Sequence, residues 1–225
     1  MKIAPLIALL AVGCVPNESP IQIGPVFPLT GTLGACNINS AVQVAAGELD
    51  VSVSQSYYAA FGLTSDLVVP AVPNANGQEM GNVTGNDFLY NSAVLTYRAT
   101  PPLPFKNPET IAIAGVLSAG ALPPTAWAAV NLIGPNAAQT IANAGISPGS
   151  PVSLSTTVQF KGTLRSGEGI TSQPFTFPVT LYSTNFAGCG SFRLAGTGPC
   201  GLPPQDGAAP LCCVPNATGQ LPTGC

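Results

Sequence analysis

Two stretches of alternating residues in the second half of the chain constrain its fold more than any other feature. Every second position in them is apolar or Thr: Val152, Leu154, Thr156, Val158 and Phe160 in the first, and Phe175, Phe177, Val179 and Leu181 in the second. A period of two is typical of a strand with one buried face. Residues 165–169 between them, Arg-Ser-Gly-Glu-Gly, supply turn residues. The sequence therefore predicts an antiparallel hairpin here.

Several other segments have the composition of strands. The first begins at residues 49–53 and continues through Tyr57, Tyr58 and Phe61 toward residues 67–69. The others are residues 88–97, 111–117 and 127–133. One short helix is expected at residues 135–145, where Ala is frequent, Pro135 can begin a helix and Gly145 can end it. About seven short strands separated by turn signals predict an all-β fold, specifically an antiparallel Ig-like β-sandwich with one short helix. A barrel is the alternative.

The N-terminus has the layout of a secretory signal peptide. Lys2 precedes an apolar run over residues 3–12, which is too short to span a bilayer. The residues Leu10-Ala11-Val12-Gly13-Cys14 resemble the lipobox of bacterial lipoproteins, with Ala11 where that family usually has Leu. The resemblance implies that residues 1–13 are removed and that Cys14 carries acyl chains such as palmitate. An ordinary signal peptide or an uncleaved N-terminal tail is the alternative.

A lipid on Cys14 would anchor the protein to a membrane without spanning it, since two or more acyl chains give stable attachment. Because Val15 rather than Asp follows the Cys, the resemblance implies an outer-membrane lipoprotein of the cell envelope, either periplasmic or surface-exposed. Residues 15–28, with four Pro, are expected to be an extended tether. The expected organisation is signal peptide 1–13, tether and first strand region 14–40, sandwich domain 41–188, and a Cys/Gly/Pro-rich tail 189–225.

A second apolar region, between Glu109 and Lys161, contains no charged residue at all. Pro123-Pro124 lies near the centre of its most apolar part, and two adjacent Pro residues would break a membrane-spanning helix. Two buried strands around a turn are therefore expected there.

Six cysteines remain when Cys14 is set aside for acylation: Cys36, Cys189, Cys200, Cys212, Cys213 and Cys225. An even number in an exported chain predicts disulfides, and six cysteines allow 15 connectivities. Since only Cys36 lies outside the tail, full pairing requires one bridge from the first strand region to the tail. A zinc site is the alternative, but these spacings lack paired Cys-x-x-Cys motifs. We therefore expect structural cross-links and no metal or other cofactor.

The composition excludes several classes of function. The chain has no His, so it cannot supply a Ser-His-Asp triad, a Cys-His dyad or a histidine general base. The net charge is −3 and the few basic residues are scattered, which argues against nucleic acid as a partner. A carboxylate-only enzyme would need acidic groups facing each other among Glu48, Asp50, Asp66, Asp87 and Glu109. No such pairing is evident from their spacing, and no enzymatic activity is expected.

Two further patterns are candidates for binding sites. Trp127, Tyr57 and Tyr58 could form a platform on which sugar rings stack, although such aromatics more often belong to a core. Residues 74–79, Asn-Ala-Asn-Gly-Gln-Glu, loosely resemble the start of a calcium loop but lack its Asp residues, so a plain Asn-Gly turn is favoured.

The overall layout resembles a group of uncharacterised myxobacterial surface lipoproteins. The similarity is carried by residues 49–53, residues 91–97, the helix after Pro135, residues 177–180 and Gly188-Cys189-Gly190. It implies a location and a β fold and carries over no catalytic residue. We expect a lipid-anchored, non-enzymatic structural or interaction module with a protein or polysaccharide partner. A carbohydrate-binding surface module is the alternative.

Overall fold

The computed structural model describes residues 19–32, 35–68, 74–75, 78–79, 86–192, 200, 202, 205–208 and 210–221. These residues form a mostly β structure with one short helix, which confirms the expected all-β class. The strands are β1 (Ile21–Phe27), β2 (Leu29–Thr32), β3 (Ala35–Ile38), β4 (Gly47–Asp50), β5 (Tyr58–Ser65), β6 (Asn74–Ala75), β7 (Gln78–Glu79), β8 (Phe88–Thr100), β9 (Glu109–Leu117), β10 (Trp127–Asn131), β11 (Val152–Leu164), β12 (Gly169–Thr171) and β13 (Phe175–Tyr182). The helix is α1 (Pro135–Ala144).

Two larger sheets and two small hairpins contain all of these strands. The six-stranded sheet has the order β4-β13-β11-β8-β9, with β12 paired to β11, and the three-stranded sheet has the order β1-β5-β10. The hairpins are β2-β3 and β6-β7. β6 and β7 pair antiparallel, with Asn74 opposite Glu79, and residues 76–77, where the Asn-Gly turn is expected, lie outside the described residues.

The predicted hairpin at the centre of the larger sheet is confirmed. β11 and β13 pair antiparallel from Val152↔Leu181 to Val158↔Phe175. β11 extends beyond the predicted stretch to Leu164, and the chain returns through β12 before it enters β13. The alternating apolar residues face inward, with Leu154, Val158 and Phe177 almost completely buried.

One pairing departs from the expected antiparallel arrangement. β13 pairs with β4 in parallel, with Leu181 opposite Leu49, so the sheet is mixed. The two strands lie far apart in sequence and are not joined by a hairpin. Their relative direction is therefore set by packing rather than by a turn, and no local pattern could reveal it.

The two larger sheets share one hydrophobic core. Phe61 of β5 contacts the rings of Phe175 and Phe177 on β13, with ring centroids 5.8 Å and 6.4 Å apart. Tyr57, just before β5, stacks on Phe177 at 6.0 Å. These aromatic contacts join the smaller sheet to β13 of the larger one.

The strand expected to run from residue 49 through Phe61 is wrong, because the structure divides it in two. Asp50 ends β4, and its carbonyl accepts hydrogen bonds from the N–H groups of Val53 and Ser54, which turns the chain. The chain then enters β5 in the other sheet. Apolar alternation continues across this turn, so the sequence pattern conceals the change of sheet.

The tether expected over residues 15–28 is also wrong for its second half, which forms β1. Ile21 and Val26 are buried in the core, and β1 pairs with β5 along its length. A register shift between Ile23 and Val26 accommodates Gly24 and Pro25. Proline is tolerated at a bulge in an edge strand, because the strand there does not need a backbone N–H to donate a hydrogen bond to a neighbouring strand.

Helix α1 begins and ends where the sequence predicts. Pro135 occupies its first turn, and Gly145 follows it in the left-handed conformation, with φ 57° and a hydrogen bond from its N–H to the carbonyl of Ala142. Glycine adopts this conformation without the steric penalty of a Cβ. Ala137 and Ile141 face the core.

The uncharged region after Glu109 contains β9, β10 and α1 rather than a membrane-spanning helix. Within the described ranges, no helix is long and apolar enough to cross a bilayer.

Candidate functional site

The cysteines of the tail cross-link it to itself and to the first strand region. Cys36 on β3 is bonded to Cys200 across 164 residues of sequence, and Cys189 is bonded to Cys212 across 23. Cys213 is also disulfide-bonded. Cys225 and the predicted lipidation residue Cys14 lie outside the described residues. The expected bridge between the first strand region and the tail is therefore present.

The cross-linked tail also binds the domain through polar side chains. The Gln205 amide pairs with the backbone of Tyr58, accepting from its N–H at 3.0 Å and donating to its carbonyl at 2.8 Å. Asp206 accepts from the N–H of Glu48 at 3.0 Å, and its own N–H donates to the carbonyl of Glu48 at 2.9 Å. The tail thus satisfies the backbone N–H and C=O groups of Glu48 on β4.

Tyr57 connects the same tail residue to the core. Its hydroxyl donates to Asp206 Oδ1 at 2.9 Å, while its ring is buried against Phe177. Burial raises the pKa of Tyr57 strongly, and the negative charges of Asp206 and Glu48 raise it further. The hydroxyl therefore stays protonated and acts as a hydrogen-bond donor throughout the physiological pH range.

A shallow cavity of about 290 Å³ lies beside this contact. It is lined by Pro28, Val44, Ala46, Glu48 and Asp206. Glu48 and Asp206 are its two charged lining residues. However, no group of three or more Cys, Asp or Glu side chains among the described residues is placed to hold a metal ion.

The three aromatic residues considered as a sugar-stacking platform do not share a surface. Tyr57 is 2% exposed and belongs to the core. Tyr58 and Trp127 are half-buried on the outer face of the three-stranded sheet, opposite Asn131 and Gly62 respectively. These positions are four residues apart along β5, or about 13 Å. A platform of all three rings is therefore excluded.

The five carboxylates that a carboxylate-only enzyme would use do not meet in one cleft. Asp66 accepts a hydrogen bond from the Gln22 side chain at the exposed start of β1. Asp87 forms an ion pair with Arg165 at 3.2 Å and accepts from the N–H of Ala119. Asp66 and Asp87 therefore stabilise the fold at separate locations.

Glu109 is the most completely enclosed of these carboxylates and binds the start of the helix. Its Oε1 accepts from the N–H of Asn136 at 2.8 Å and its Oε2 from the N–H of Ala137 at 3.2 Å. The helix has no N-cap side chain of its own, since Gly134 stands at that position. A carboxylate from β9 therefore caps a helix that begins 26 residues later in the chain, and it also complements the helix dipole.

Gly134 and Tyr97 complete the environment of Glu109. A Cβ on Gly134 would lie 2.5 Å from the carboxyl carbon of Glu109, so a larger residue there would displace the capping carboxylate. The Tyr97 hydroxyl donates to Glu109 Oε2 at 3.2 Å and accepts from the N–H of Gly134 at 3.0 Å. Burial raises the pKa of Tyr97; the Gly134 N–H opposes this effect and Glu109 adds to it. The buried polar groups of this cluster are thus mutually satisfied.

Asp50 joins the ends of β4 and β13. Its carboxylate accepts from the N–H and hydroxyl of Ser52 and from the N–H and hydroxyl of Thr184. Burial by itself would raise the pKa of Asp50, but the hydrogen bonds from Ser52 and Thr184 outweigh it and lower the pKa. The charged form is therefore the one that the folded state prefers.

Asp50 should make stability depend on pH in the acid range. Because its pKa is lower in the folded state, it stabilises the fold above the ordinary Asp pKa of about 3.9, and this contribution is lost as the pH falls through the folded-state value. We expect Asp50→Asn to lower the free energy of unfolding at neutral pH by about 1–3 kcal/mol. Thermal unfolding across the acid range should show the difference between the two proteins shrinking toward about pH 2.

Asp66→Asn is the matched control, since Asp66 is exposed and has one side-chain partner. It should change stability by less than about 0.5 kcal/mol. A difference between wild type and Asp50→Asn that stays constant down to the lowest pH would contradict the assigned role.

Several of these interacting residues escape sequence reasoning. Gln205 and Asp206 lie in an aperiodic tail, where Asp-Gly signals only a turn, and Tyr97 appears as one more strand aromatic. Their partners are 12 to 158 residues away in sequence. The absence of a capping side chain before Pro135 is the one local signal that a remote cap was needed.

A scan against protein-family models and searches of curated proteins and of solved structures found no match to this chain.

Proposed function

We propose that this chain is a lipid-anchored protein of the cell envelope whose Ig-like β-sandwich is a non-enzymatic structural or interaction module. The observation that carries the proposal is the disulfide framework, in which all five cysteines among the described residues are bonded. Disulfides form and persist in oxidising compartments such as the bacterial periplasm and the cell surface. The framework therefore supports export, as the lipobox-like sequence at Cys14 and the similarity to surface lipoproteins also do.

The strand order supports the Ig-like assignment. In variable-type Ig domains one sheet contains strands G, F, C and C′, and the other contains A, B, E and D. The order β13-β11-β8-β9 agrees with the first set and β1-β5-β10 with the first three strands of the second. Chain order agrees as well, with α1 between the strands at positions E and F. Strand D has no counterpart among the described residues.

The positions of the polar residues favour a structural or interaction role over catalysis. Glu109 caps a helix, Asp50 joins two strand ends and Asp206 binds the tail to β4. The protein-interaction form of the proposal is also preferred over carbohydrate binding, because Tyr57 lies in the core and Tyr58 and Trp127 are well separated.

The position of β1 limits how far the domain could lie from its anchor. Six residues, 15–20, separate Cys14 from Ile21. Fully extended, this segment holds the Cα atoms of Cys14 and Ile21 at most about 25 Å apart. An acylated Cys14 would therefore hold the three-stranded sheet close to the membrane surface.

The intact mass of the protein purified from its own membranes tests this proposal. With Cys14 acylated, the mass should equal residues 14–225 plus the acyl chains, and alkylation without reduction should add nothing. A Cys14→Ser variant should be found in the soluble fraction instead of the membrane fraction, and its mass should not include acyl chains. An unacylated wild-type protein would refute the anchor, and alkylatable thiols in the tail would refute the closed disulfide framework.

A further inference from the structure

Among the described residues, the three most exposed large apolar side chains lie at one end of the domain. They are Val68, Leu122 and Val116, which are 75%, 59% and 57% exposed. Val68 follows β5, Val116 is close to the end of β9, and Leu122 lies in the loop between β9 and β10. Exposed apolar side chains that are grouped on one surface commonly mark an interaction site.

Two hydrogen bonds hold the segment around Val68 beside the start of β1. The N–H of Asp66 donates to the carbonyl of Pro20 at 2.8 Å, one residue before β1 begins. Two residues further along the chain, the carbonyl of Val68 accepts from the Asn86 side chain at 2.7 Å, just before β8. Val68 is therefore held beside the starts of both β1 and β8.

The loop that contains Leu122 is held at the same place. The N–H of Ser65 donates to the carbonyl of Ala121 at 2.9 Å, and Ser65 pairs with the first residue of β1. The carbonyl of Leu122 accepts from the Thr125 hydroxyl at 2.8 Å, which closes a turn. The segments that contain Val68 and Leu122 therefore flank the point where the chain enters β1.

The charged groups at this end do not form a basic surface. The structure describes four charged side chains in the loops there: Asp66, Asp87, Arg165 and Glu168. The Arg165 guanidinium is paired with Asp87 at 3.2 Å, which leaves two further acidic groups. Binding to a membrane at this end would therefore depend on apolar contact rather than on attraction to anionic lipid headgroups.

We propose that this end of the domain docks on the bilayer surface, with Val68 and Leu122 entering the interfacial layer of the lipid. The inference rests on the proposed anchor, and the length of chain between Cys14 and Ile21 selects lipid as the occupant. At most about 25 Å separates their Cα atoms, so the bilayer is always within reach of the loops that flank Ile21. Because the anchor already keeps the domain at the surface, a few apolar contacts are enough to fix its orientation.

Fluorescence quenching by brominated lipid tests whether this end contacts the bilayer. The probe is the full, acylated chain with Leu122→Trp and Trp127→Phe, so that its only indole lies in the loop. It is reconstituted into phosphatidylcholine vesicles with and without phosphatidylcholine brominated on an acyl chain. An indole inserted in the interfacial layer should lose at least about half of its fluorescence to the bromine. Raising the salt from about 0.1 M to about 1 M should leave the quenching unchanged, because apolar contact is not screened.

The matched probe is Phe192→Trp in the same Trp127→Phe background. Phe192 is an exposed aromatic residue of the tail. Phe186, six residues earlier, accepts no place near β1: its N–H donates to the Ser52 hydroxyl in the turn that follows β4, at the opposite end of the domain. Bromine should lower the fluorescence of this second probe by less than about a tenth.

A charge placed beside the first probe tests whether apolar contact causes the docking. Val68→Asp, added to Leu122→Trp/Trp127→Phe, should reduce the quenching at least about twofold, because a carboxylate is costly to place in the bilayer. Val42→Asp is the matched control, since Val42 is exposed in the segment between β3 and β4, and it should leave the quenching unchanged. Circular dichroism of each variant shows that it is folded.

Flotation with the vesicles and the intact mass of the same preparation test the anchor separately. An acylated chain that floats with the vesicles while its Leu122→Trp indole stays unquenched would overturn the docking and leave the anchor standing. Equal quenching of the two probes, or equal effects of Val68→Asp and Val42→Asp, would do the same. A chain without acyl mass would overturn both the anchor and the docking that rests on it.

Discussion

Removal of the Cys36–Cys200 bridge by Cys36→Ala/Cys200→Ala is expected to lower the free energy of unfolding by about 5 kcal/mol in the chain-entropy model. The bridge closes a sequence separation of 164 residues, so it removes much of the conformational freedom of the unfolded chain. A loss of this size is comparable to the whole stability of many domains. Urea unfolding followed by the fluorescence of Trp127, the single tryptophan, measures it.

The Cys189–Cys212 bridge provides the matched comparison. It closes a separation of only 23 residues, for which the same model gives about 3 kcal/mol. Both double variants remove a complete pair and leave no odd thiol. The entropic interpretation predicts the larger loss for Cys36→Ala/Cys200→Ala, and the reverse order would contradict it.

The Glu109→Ala variant is expected to lose about 3–5 kcal/mol, because it removes an enclosed carboxylate with three hydrogen-bonding partners. The N–H groups of Asn136 and Ala137 would lose their hydrogen-bond acceptor, and the Tyr97 hydroxyl would lose the acceptor to which it donates. Chemical unfolding measures the total loss. Far-ultraviolet circular dichroism of the folded variant should also show reduced helix content, since α1 has no other N-terminal cap.

Two further variants distinguish the effect of losing the helix cap from the effect of losing side-chain volume. Glu109→Gln keeps the shape and one acceptor oxygen but removes the charge, and it should lose about 1–2 kcal/mol. Gly134→Ala keeps the Glu109 residue, but the new Cβ would lie 2.5 Å from its carboxyl carbon, so the carboxylate must shift and the same region should be destabilised. Glu168→Gln, at an exposed carboxylate, should change stability by less than about 0.5 kcal/mol. Equal effects of Glu109→Gln and Glu168→Gln would contradict the capping role.

The local elements of this fold follow from local patterns. Alternation predicts β11 and β13, because a strand presents successive side chains to opposite faces and only one face here is buried. Pro135 and Gly145 mark the ends of α1 because each has a backbone preference that suits one end of a helix. The same reasoning fails at residues 51–57, where apolar residues continue through a turn between two sheets. It also fails at β1, because four Pro residues between positions 16 and 28, one of them within the strand, suggested an extended tether.

Some features of the candidate site can likewise be predicted from the sequence, and others cannot. The cysteine count predicts disulfides, and the position of Cys36 predicts a bridge to the tail, but the choice of Cys200 as its partner depends on which tail residue lies beside β3. Glu48 and Asp50 stand out in the sequence as neighbouring carboxylates. Their different roles arise because Asp206 binds the backbone of one and Thr184 binds the side chain of the other, and both partners are more than 130 residues away.

The sequence by itself determined the all-β class, the short helix, the central hairpin and the presence of cross-links. These depend on side-chain periodicity, backbone preferences and cysteine number, which are properties of neighbouring residues or of composition. Only the tertiary structure decided the parallel pairing of β4 with β13 and the capping of α1 by Glu109. Each of these depends on which distant segments pack together, and that choice is made by the free energy of the whole core rather than by any one stretch of chain.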